Sequence, residues 1–433
     1  MDKTRLFLAS CLALIVTAMS FAIRGDIMGA LETQFELTKE QLGWIAGTAF
    51  WGFTVAMMIG GPLCDWLGMK RLLVAAFVGH AAGIVLTIFA GGFGMLYGGT
   101  LAIGLANGFV EAACNPLIAT IYPGEKTKKL NQFHVWFPGG IVIGGLLAYG
   151  LTHAAIAAGW SSALTWQLKM ATMLLPLAVY GFLFVGQEFP PTERKAAGVS
   201  SGAMFLECLR PLFIVMILCM LLTAATELGP NQWIPNILTT SAGVAGILVL
   251  VWINGLMAIG RQFAGPIVHR ISPTGMLLSS AVVSGLGLLG LSYATTGAMA
   301  FAAATVFAIG ICYFWPTMLG FTSERMPKTG ALGLALMGGA GMLSVSFVLP
   351  WMGRVYDEQT AGAIPEGASA EQLRAAAEGT AEAAQWLAAQ AAGGAIALRV
   401  VAILPVVLVV VFGVLFIRDR AAGGYRAERL GGE

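Results

Sequence analysis

The stretch GGPLCDWLGMKR (60–71) is a short polar turn between two long apolar runs. It places one acid, Asp65, shortly before two bases, Lys70 and Arg71. A partly similar stretch, AGPIVHRISPTGM (264–276), occurs much later in the chain, again where an apolar run ends. The position and partial repetition of this turn indicate apolar segments arranged in two related halves.

The composition is that of an integral membrane protein. Of the 433 residues, 58% are hydrophobic and 11% are charged, and the mean hydropathy is +0.81. Soluble domains carry about a quarter charged residues. The net charge of +2 says little about partners, but no basic run resembles a nucleic-acid surface, so no nucleic-acid partner is expected. The six cysteines have no metal-ligand spacing. We therefore expect a lipid bilayer as the surroundings, and no metal or cofactor.

Apolar runs long enough to cross a bilayer core of about 30 Å recur along the whole chain. Helices are the expected spanning form because each backbone polar group must be satisfied within its segment. Six spans are predicted in the first half, at about 5–30, 42–64, 72–92, 95–122, 131–156 and 164–187. Six more are predicted in the second half, at about 208–237, 242–268, 274–293, 296–322, 330–352 and 395–418.

The predicted organisation is two bundles of six helices. We assign residues 1–187 to an N-terminal bundle, 188–207 to a cytoplasmic linker and 208–433 to a C-terminal bundle. Residues of about 357–391, rich in Ala, Glu and Gln, are expected to form an external helical loop. Basic residues concentrate in alternate breaks, and such residues stay cytoplasmic. We therefore expect a multi-pass protein of the inner membrane with both termini in the cytoplasm.

A second correspondence supports the two halves. The segment ACNPLIAT corresponds loosely to YFWPTMLG, which aligns Pro116 with Pro316. A basic loop and a Gly-rich span follow each of them. Parallel repeats of six spans are a known transporter plan, with the solute site near the midplane between them.

The turn at 60–71 resembles the signature between spans two and three of the major facilitator superfamily, roughly G-x-L-a-D-r-x-G-r-k. Trp66 and Met69 stand where that signature usually has basic residues. The resemblance implies an all-α major facilitator fold and a gate at this turn. The residues assigned to this gating motif are Gly61, Asp65, Gly68, Lys70 and Arg71.

A narrower resemblance lies in spans four and five. The sequence EAACNP (111–116), a basic loop and LNQFH (130–134) are similar to the fucose:proton symporter family. The resemblance implies that Glu111 acts in proton coupling and sugar recognition, together with an acid of span one. Asp26 matches that acid with a shift of one residue, and Phe137 stands where a polar residue is usual.

Span four carries a polar stripe. Asn107, Glu111 and Asn115 are spaced i, i+4 and i+8, so they share one helix face. An ionisable group at membrane depth indicates a functional site. We predict that this face lines a cavity where Glu111 takes up and releases a proton, and where Asn107 and Asn115 contact solute.

Span seven supplies the predicted facing side. Within TELGPNQW, the Gly and Pro are expected to bend the helix beside acidic, amide and aromatic groups that suit a sugar. The predicted solute contacts here are Glu227, Asn231, Gln232 and Trp233. His134 in span five is a further candidate, as a solute donor or proton relay, with a hydrogen bond that packs two helices as the alternative. We expect a structural role for His80, and an ion pair or packing role for Arg261.

We expect uptake of a monosaccharide or similar polyhydroxylated solute with protons, by rocking of the two halves. The resemblance implies a carrier that acts as a monomer, while the sequence itself leaves the oligomeric state and the direction of net transport open. Sodium coupling stays open. The main alternative is a proton-driven exporter of an apolar or cationic compound. A membrane enzyme with a histidine base is disfavoured because neither His80 nor His134 has a nucleophile or metal cluster beside it.

Overall fold

The computed structural model describes residues 1–37, 39–244, 246–376 and 379–428. Most of the described residues in the first half are helical. The bilayer core contains no water that could hydrogen-bond the backbone, so each apolar run satisfies its own backbone groups as a helix. Those helices are α1 (Lys3–Phe35), α2 (Lys39–Leu67), α3 (Met69–Ile88), α4 (Phe93–Ile121), α5 (Lys126–His134), α6 (Trp136–Ala158), α7 (Ser162–Ala171) and α8 (Leu174–Phe184).

The linker region and the second half continue the all-α architecture. Their helices are α9 (Glu193–Ala196), α10 (Ser201–Cys208), α11 (Pro211–Ala242), α12 (Gly246–Gln262), α13 (Ala264–Ser292), α14 (Gly297–Ile311), α15 (Phe314–Arg325), α16 (Gly330–Gly362), α17 (Ala370–Ala375), α18 (Ala381–Val401) and α19 (Ile403–Ala421). A short 3-10 turn, Pro327–Thr329, joins α15 to α16.

Within the described residues, eleven segments are long and apolar enough to cross a membrane. A shorter apolar helix, Leu248–Gln262, occupies the place of the predicted eighth span. A kink at Ser272, whose φ is 66°, then separates the rest of that span from the ninth inside α13. The predicted all-α membrane fold is confirmed.

The boundaries of the predicted loops differ from expectation. The proposed linker contains α9 and α10. The proposed external loop is shorter, because α16 continues to Gly362 and α18 already begins at Ala381. Residues 377–378 of that loop and 429–433 of the proposed C-terminal bundle lie outside the described residues.

Several spans are interrupted near their middle or end. The fifth span divides into α5 and α6 at Val135, and the tenth divides into α14 and α15 at Cys312 and Tyr313. Proline follows each interruption, at Pro138 and Pro316. Proline has no backbone N–H, so it leaves the carbonyl four residues earlier without its helix donor.

The first and last described residues, Met1 and Glu428, lie on one face of the bundle, called here the terminal face. Asp2 meets Gln187 there, and Glu428 meets the carbonyl of Glu324. In the core, α2 packs on α16, α5 packs on α15 and α6 packs on α12, so the first and second halves meet along several helix pairs. The candidate site lies between them.

Candidate functional site

Both halves contribute to a small central cavity. Its volume is about 20 Å³, room for one water molecule and too small for a monosaccharide. The lining combines two carboxylates, a His, an Arg and large apolar side chains: Phe53, Glu111, His134, Phe137, Glu227, Leu228, Arg261, Trp315 and Met342. A solute the size of a monosaccharide could enter this cavity only if the cavity expanded.

The first half presents a buried cluster of three polar side chains. Glu111 and Asn115 lie one turn apart on α4, and the Asn115 amide donates to Glu111 Oε2 at 2.6 Å. His134 Nε2 lies 3.1 Å from Asn115 Oδ1 and 3.8 Å from Glu111 Oε2. With the amide so assigned, Nε2 carries the hydrogen and donates to Asn115. The three side chains thus form one hydrogen-bonded unit around a carboxyl group.

The second half presents a buried ion pair. Arg261 Nη2 donates to Glu227 Oε1 at 2.9 Å, and the two side chains are only 2% and 5% exposed. Arg261 also donates from Nε to the Cys312 carbonyl at 2.6 Å and from Nη1 to the His134 carbonyl at 3.0 Å. The guanidinium therefore has three acceptors, and its charge is balanced by Glu227.

Two buried polar atoms of the lining residues have no hydrogen-bond partner among the described residues. They are Glu227 Oε2, an acceptor, and Trp315 Nε1, a donor. The Trp315 ring lies over Gly341 of α16, where an added Cβ would come within 2.6 Å of the indole. The Gly-rich start of α16 thereby makes room for the indole. Trp315 is not among the site residues predicted from the sequence.

Asn107 belongs to a different network, although it shares a helix face with Glu111. Its Oδ1 lies 2.8 Å from His80 Nε2, and its Nδ2 donates to Ser20 Oγ at 3.0 Å. His80 Nδ1 in turn meets the Tyr180 hydroxyl at 3.1 Å. This buried chain joins α1, α3, α4 and α8, which suits a structural role for both His80 and Asn107.

The other predicted contacts lie outside the cavity lining. Asp26 pairs with Lys169 at 2.5 Å and is 37% exposed. Asn231 is buried one turn beyond Glu227, and its Oδ1 has no partner within the described chain. Gln232 is exposed. Trp233 packs on Tyr356, with ring centres 5.9 Å apart. The helix α11 continues through these residues with its prolines inside it.

Residues 6–350 match the sequence pattern of the Major Facilitator Superfamily. The chain belongs to this family. It is a transporter, because the family and its similar relatives are transporters and not enzymes.

Curated relatives and solved structures agree on this family. The chain is 24% identical to the 3-(3-hydroxy-phenyl)propionate transporter of Escherichia coli (strain K12), over 79% of this chain and 86% of the relative. It is 22% identical to the 2-nitroimidazole transporter of the same organism, over 84% and 91%.

Two solved symporters share the fold. The transporter FucP in the outward conformation gives a TM-score of 0.69 at 16% identity, over 93% of this chain and 98% of that one. The proton:xylose symporter XylE, bound to 6-bromo-6-deoxy-D-glucose, gives 0.75 at 14% identity, over 96% of each. These structural similarities show the fold of this family member and do not identify its solute.

The turn at 60–71, the predicted gating motif, is built around a buried aspartate. Asp65 accepts from Thr192 Oγ1 at 2.6 Å and from Arg194 Nε at 3.0 Å. Both partners come from the linker region, where Arg194 also lies against Gly330 at the start of α16. The motif thus holds the linker between the two halves.

The remaining motif residues have separate positions. Gly61 allows α2 and α16 to touch, since an added Cβ would lie 2.7 Å from the Ala335 Cβ. Gly68 has a φ of 90° at the start of α3, a conformation that favours glycine. The Lys70 ammonium donates to the Gln187 carbonyl at 3.2 Å, and Arg71 is exposed.

A second set of contacts closes the terminal face. Glu324 Oε1 accepts from the Thr127 backbone N–H and hydroxyl at 3.1 and 2.6 Å, across the two halves. Its other oxygen accepts from the Tyr425 hydroxyl at 2.8 Å. Burial, followed by the Glu324 charge, raises the pKa of Tyr425 well above its usual range. The phenol therefore stays a neutral donor, and the C-terminal segment supports this contact.

Proposed function

We propose that the chain is a proton-coupled symporter of a small, uncharged, hydroxylated solute, a monosaccharide in the first instance. The observation that carries this proposal is the pairing of a buried acid cluster in one half with a charge-balanced ion pair in the other. The lining residues also include one unpartnered acceptor, Glu227 Oε2, and one unpartnered donor, Trp315 Nε1, among the described residues.

An uncharged solute suits the electrostatics of the cavity. Arg261 is already neutralised by Glu227 and bonded to two carbonyls. A hydroxyl group both donates and accepts, so a polyhydroxylated solute can satisfy Glu227 Oε2 and Trp315 Nε1 together. The Trp315 ring offers an apolar surface to the ring face of a sugar. A charged solute would instead have to displace Glu227 from its partner.

Proton coupling is proposed for Glu111. An ionised carboxylate is costly in a low-dielectric interior unless it is paired, and Glu111 lies 3.8 Å from His134 and 1% exposed. A proton on Glu111 would remove the charge before the halves separate from one another. Asp26, paired with Lys169 and partly exposed, is not included in this coupling step.

We further propose that the terminal face is cytoplasmic, in an inner membrane, and that a monomer carries out transport. The gate contacts of Asp65 and Glu324 would then keep the cytoplasmic side closed. Their separation would open it, as the two halves rock about the central site.

One second candidate has specific support. Three aromatic side chains, Phe53, Phe137 and Trp315, line the cavity beside Arg261, and one relative is a 3-(3-hydroxy-phenyl)propionate transporter. An aromatic carboxylate could pair with Arg261 if Glu227 moved away or took up a proton.

The test is uptake by purified protein in proteoliposomes. A panel of neutral monosaccharides, 3-(3-hydroxyphenyl)propionate and a lipophilic cation is presented with an imposed proton gradient, a sodium gradient or neither. The proposal expects accumulation of a neutral sugar that requires the proton gradient. Accumulation of the aromatic acid alone would establish the second candidate, and response only to the lipophilic cation would contradict both.

A further inference from the structure

Arg261 links carbonyl groups that two prolines leave without helix donors. Pro138 has no N–H for the His134 carbonyl, and Pro316 has none for the Cys312 carbonyl, because each carbonyl precedes its proline by four residues. In a membrane interior such carbonyls need another donor. Arg261 supplies it to both, from Nη1 at 3.0 Å and from Nε at 2.6 Å.

The two carbonyls come from different halves of the transporter. Cys312 lies between α14 and α15, in the same half as Arg261, whereas His134 ends α5 in the other half. The Tyr313 hydroxyl donates to the Gly260 carbonyl at 2.9 Å and holds the end of α12 against this interruption. Arg261 is therefore fixed within its own half through Nε and Nη2, and Nη1 donates across to the other half.

We infer that Arg261 is a positioning residue whose bond to the proline-freed carbonyl of His134 holds the two halves closed at the central site. Its bonds to Glu227 and Cys312 stay within one half and can persist through the transport cycle. The bond to His134 spans the halves and must break when they separate. Only a contact that differs between two states shifts their equilibrium.

His134 connects its bond with Arg261 to the acid cluster of Glu111 and Asn115. The His134 backbone accepts from Arg261, while its side chain donates to Asn115 beside Glu111. A movement of the interruption between α5 and α6 would therefore disturb both contacts together. The contact that holds the two halves closed does not depend on which solute or coupling ion the protein carries.

The test uses hydrogen–deuterium exchange of the full-length protein in lipid nanodiscs, without solute or ion gradient. Pro138→Ala restores a backbone N–H that competes for the His134 carbonyl. A hydrogen bond from a charged donor changes an equilibrium by about tenfold or more. We expect about tenfold faster exchange in residues 255–263 and 109–117, with little change in segments remote from the site.

Two further variants complete the experiment. Arg261→Lys has a single ammonium that cannot span three acceptors, so it should make hydrogen exchange faster in the same two segments. In the Pro138→Ala background it should accelerate exchange by less than it does alone, because the bond to the His134 carbonyl is already weakened there. Pro350→Ala, the same chemical change within α16, is the matched control and should leave exchange at the site unchanged.

If the exchange rates in Pro138→Ala equal those of the wild-type protein, the inference is overturned. It is also overturned if the accelerations caused by Pro138→Ala and Arg261→Lys multiply in the double variant. A uniform rise across the second half would show a purely structural role and would also overturn it. If Arg261→Lys does not fold, Pro138→Ala against Pro350→Ala still decides. Failure of sugar uptake would leave this result unaffected, so the two proposals can fail separately.

Discussion

The buried ion pair of the predicted gating motif allows a quantitative prediction. The Asp65 side chain is fully buried and that of Arg194 is 6% exposed, with 3.0 Å between Oδ2 and Nε. Removing one partner of such a pair costs about 3–5 kcal/mol, because the other charge is left uncompensated. Asp65→Asn and Arg194→Met should each lower the free energy of unfolding by about that amount. The double variant contains neither charge, so its loss should fall short of the sum by at least about 2 kcal/mol.

The assay is equilibrium unfolding in mixed micelles with increasing dodecyl sulfate, followed by tryptophan fluorescence. Lys70→Met is the control, since the exposed Lys70 ammonium contacts only the Gln187 carbonyl in this motif. Its effect should stay within about 0.5 kcal/mol. If the losses from Asp65→Asn and Arg194→Met add fully in the double variant, the two side chains do not act as a pair and the reasoning is refuted.

Three further predictions concern the networks around the site. Asn107→Ala should lower the free energy of unfolding by about 2–4 kcal/mol, because it leaves buried partners unpaired. The KM for solute should stay unchanged, and a large rise in KM would support the predicted role of Asn107 as a solute contact. Gly341→Ala should push the Trp315 indole into the cavity and lower uptake at a stability cost of about 1–3 kcal/mol, and full uptake at normal stability would contradict the packing argument. Tyr425→Phe should make the terminal-face segment around Glu324 exchange hydrogen faster, whereas unchanged exchange would show that the C-terminal segment does not support the gate.

Local spacing predicted part of the candidate site. Glu111 and Asn115 are four residues apart on one helix, so their contact follows from helix geometry alone. Asn107 shares that face, but it lies two turns from Asn115, about 12 Å along the axis. At that depth it meets His80 of α3 instead. A shared face therefore indicated a buried polar stripe, and tertiary packing divided the stripe between two networks.

Longer-range contacts were less accessible from the sequence. Charge inside an apolar span marked Arg261 as paired, but its three acceptors come from α11, from the α14–α15 interruption and from α5. The positions of Pro138 and Pro316 were the available signal, because each identifies a carbonyl without a donor. Asp26 met Lys169, a base of span six, which its place late in span one alone did not predict.

The fold itself was largely predictable because membrane crossing needs long apolar helices, and these are visible as composition. The eighth span was the exception. Its apolar helix is short, and the chain continues through Ala264 to the kink at Ser272 before the ninth span. Hydropathy records length and polarity, whereas this division depends on a local backbone conformation.

The most direct test of the central claim is proton movement that accompanies solute entry. Purified protein is reconstituted in vesicles with a pH-sensitive dye, and the sugar found by the uptake panel is added without an imposed gradient. We predict that the vesicle interior acidifies with wild-type protein and with Glu358→Gln, an exposed acid at the end of α16. Glu111→Gln should abolish this acidification while sugar exchange across the membrane continues. Undiminished, solute-dependent acidification in Glu111→Gln would contradict the account.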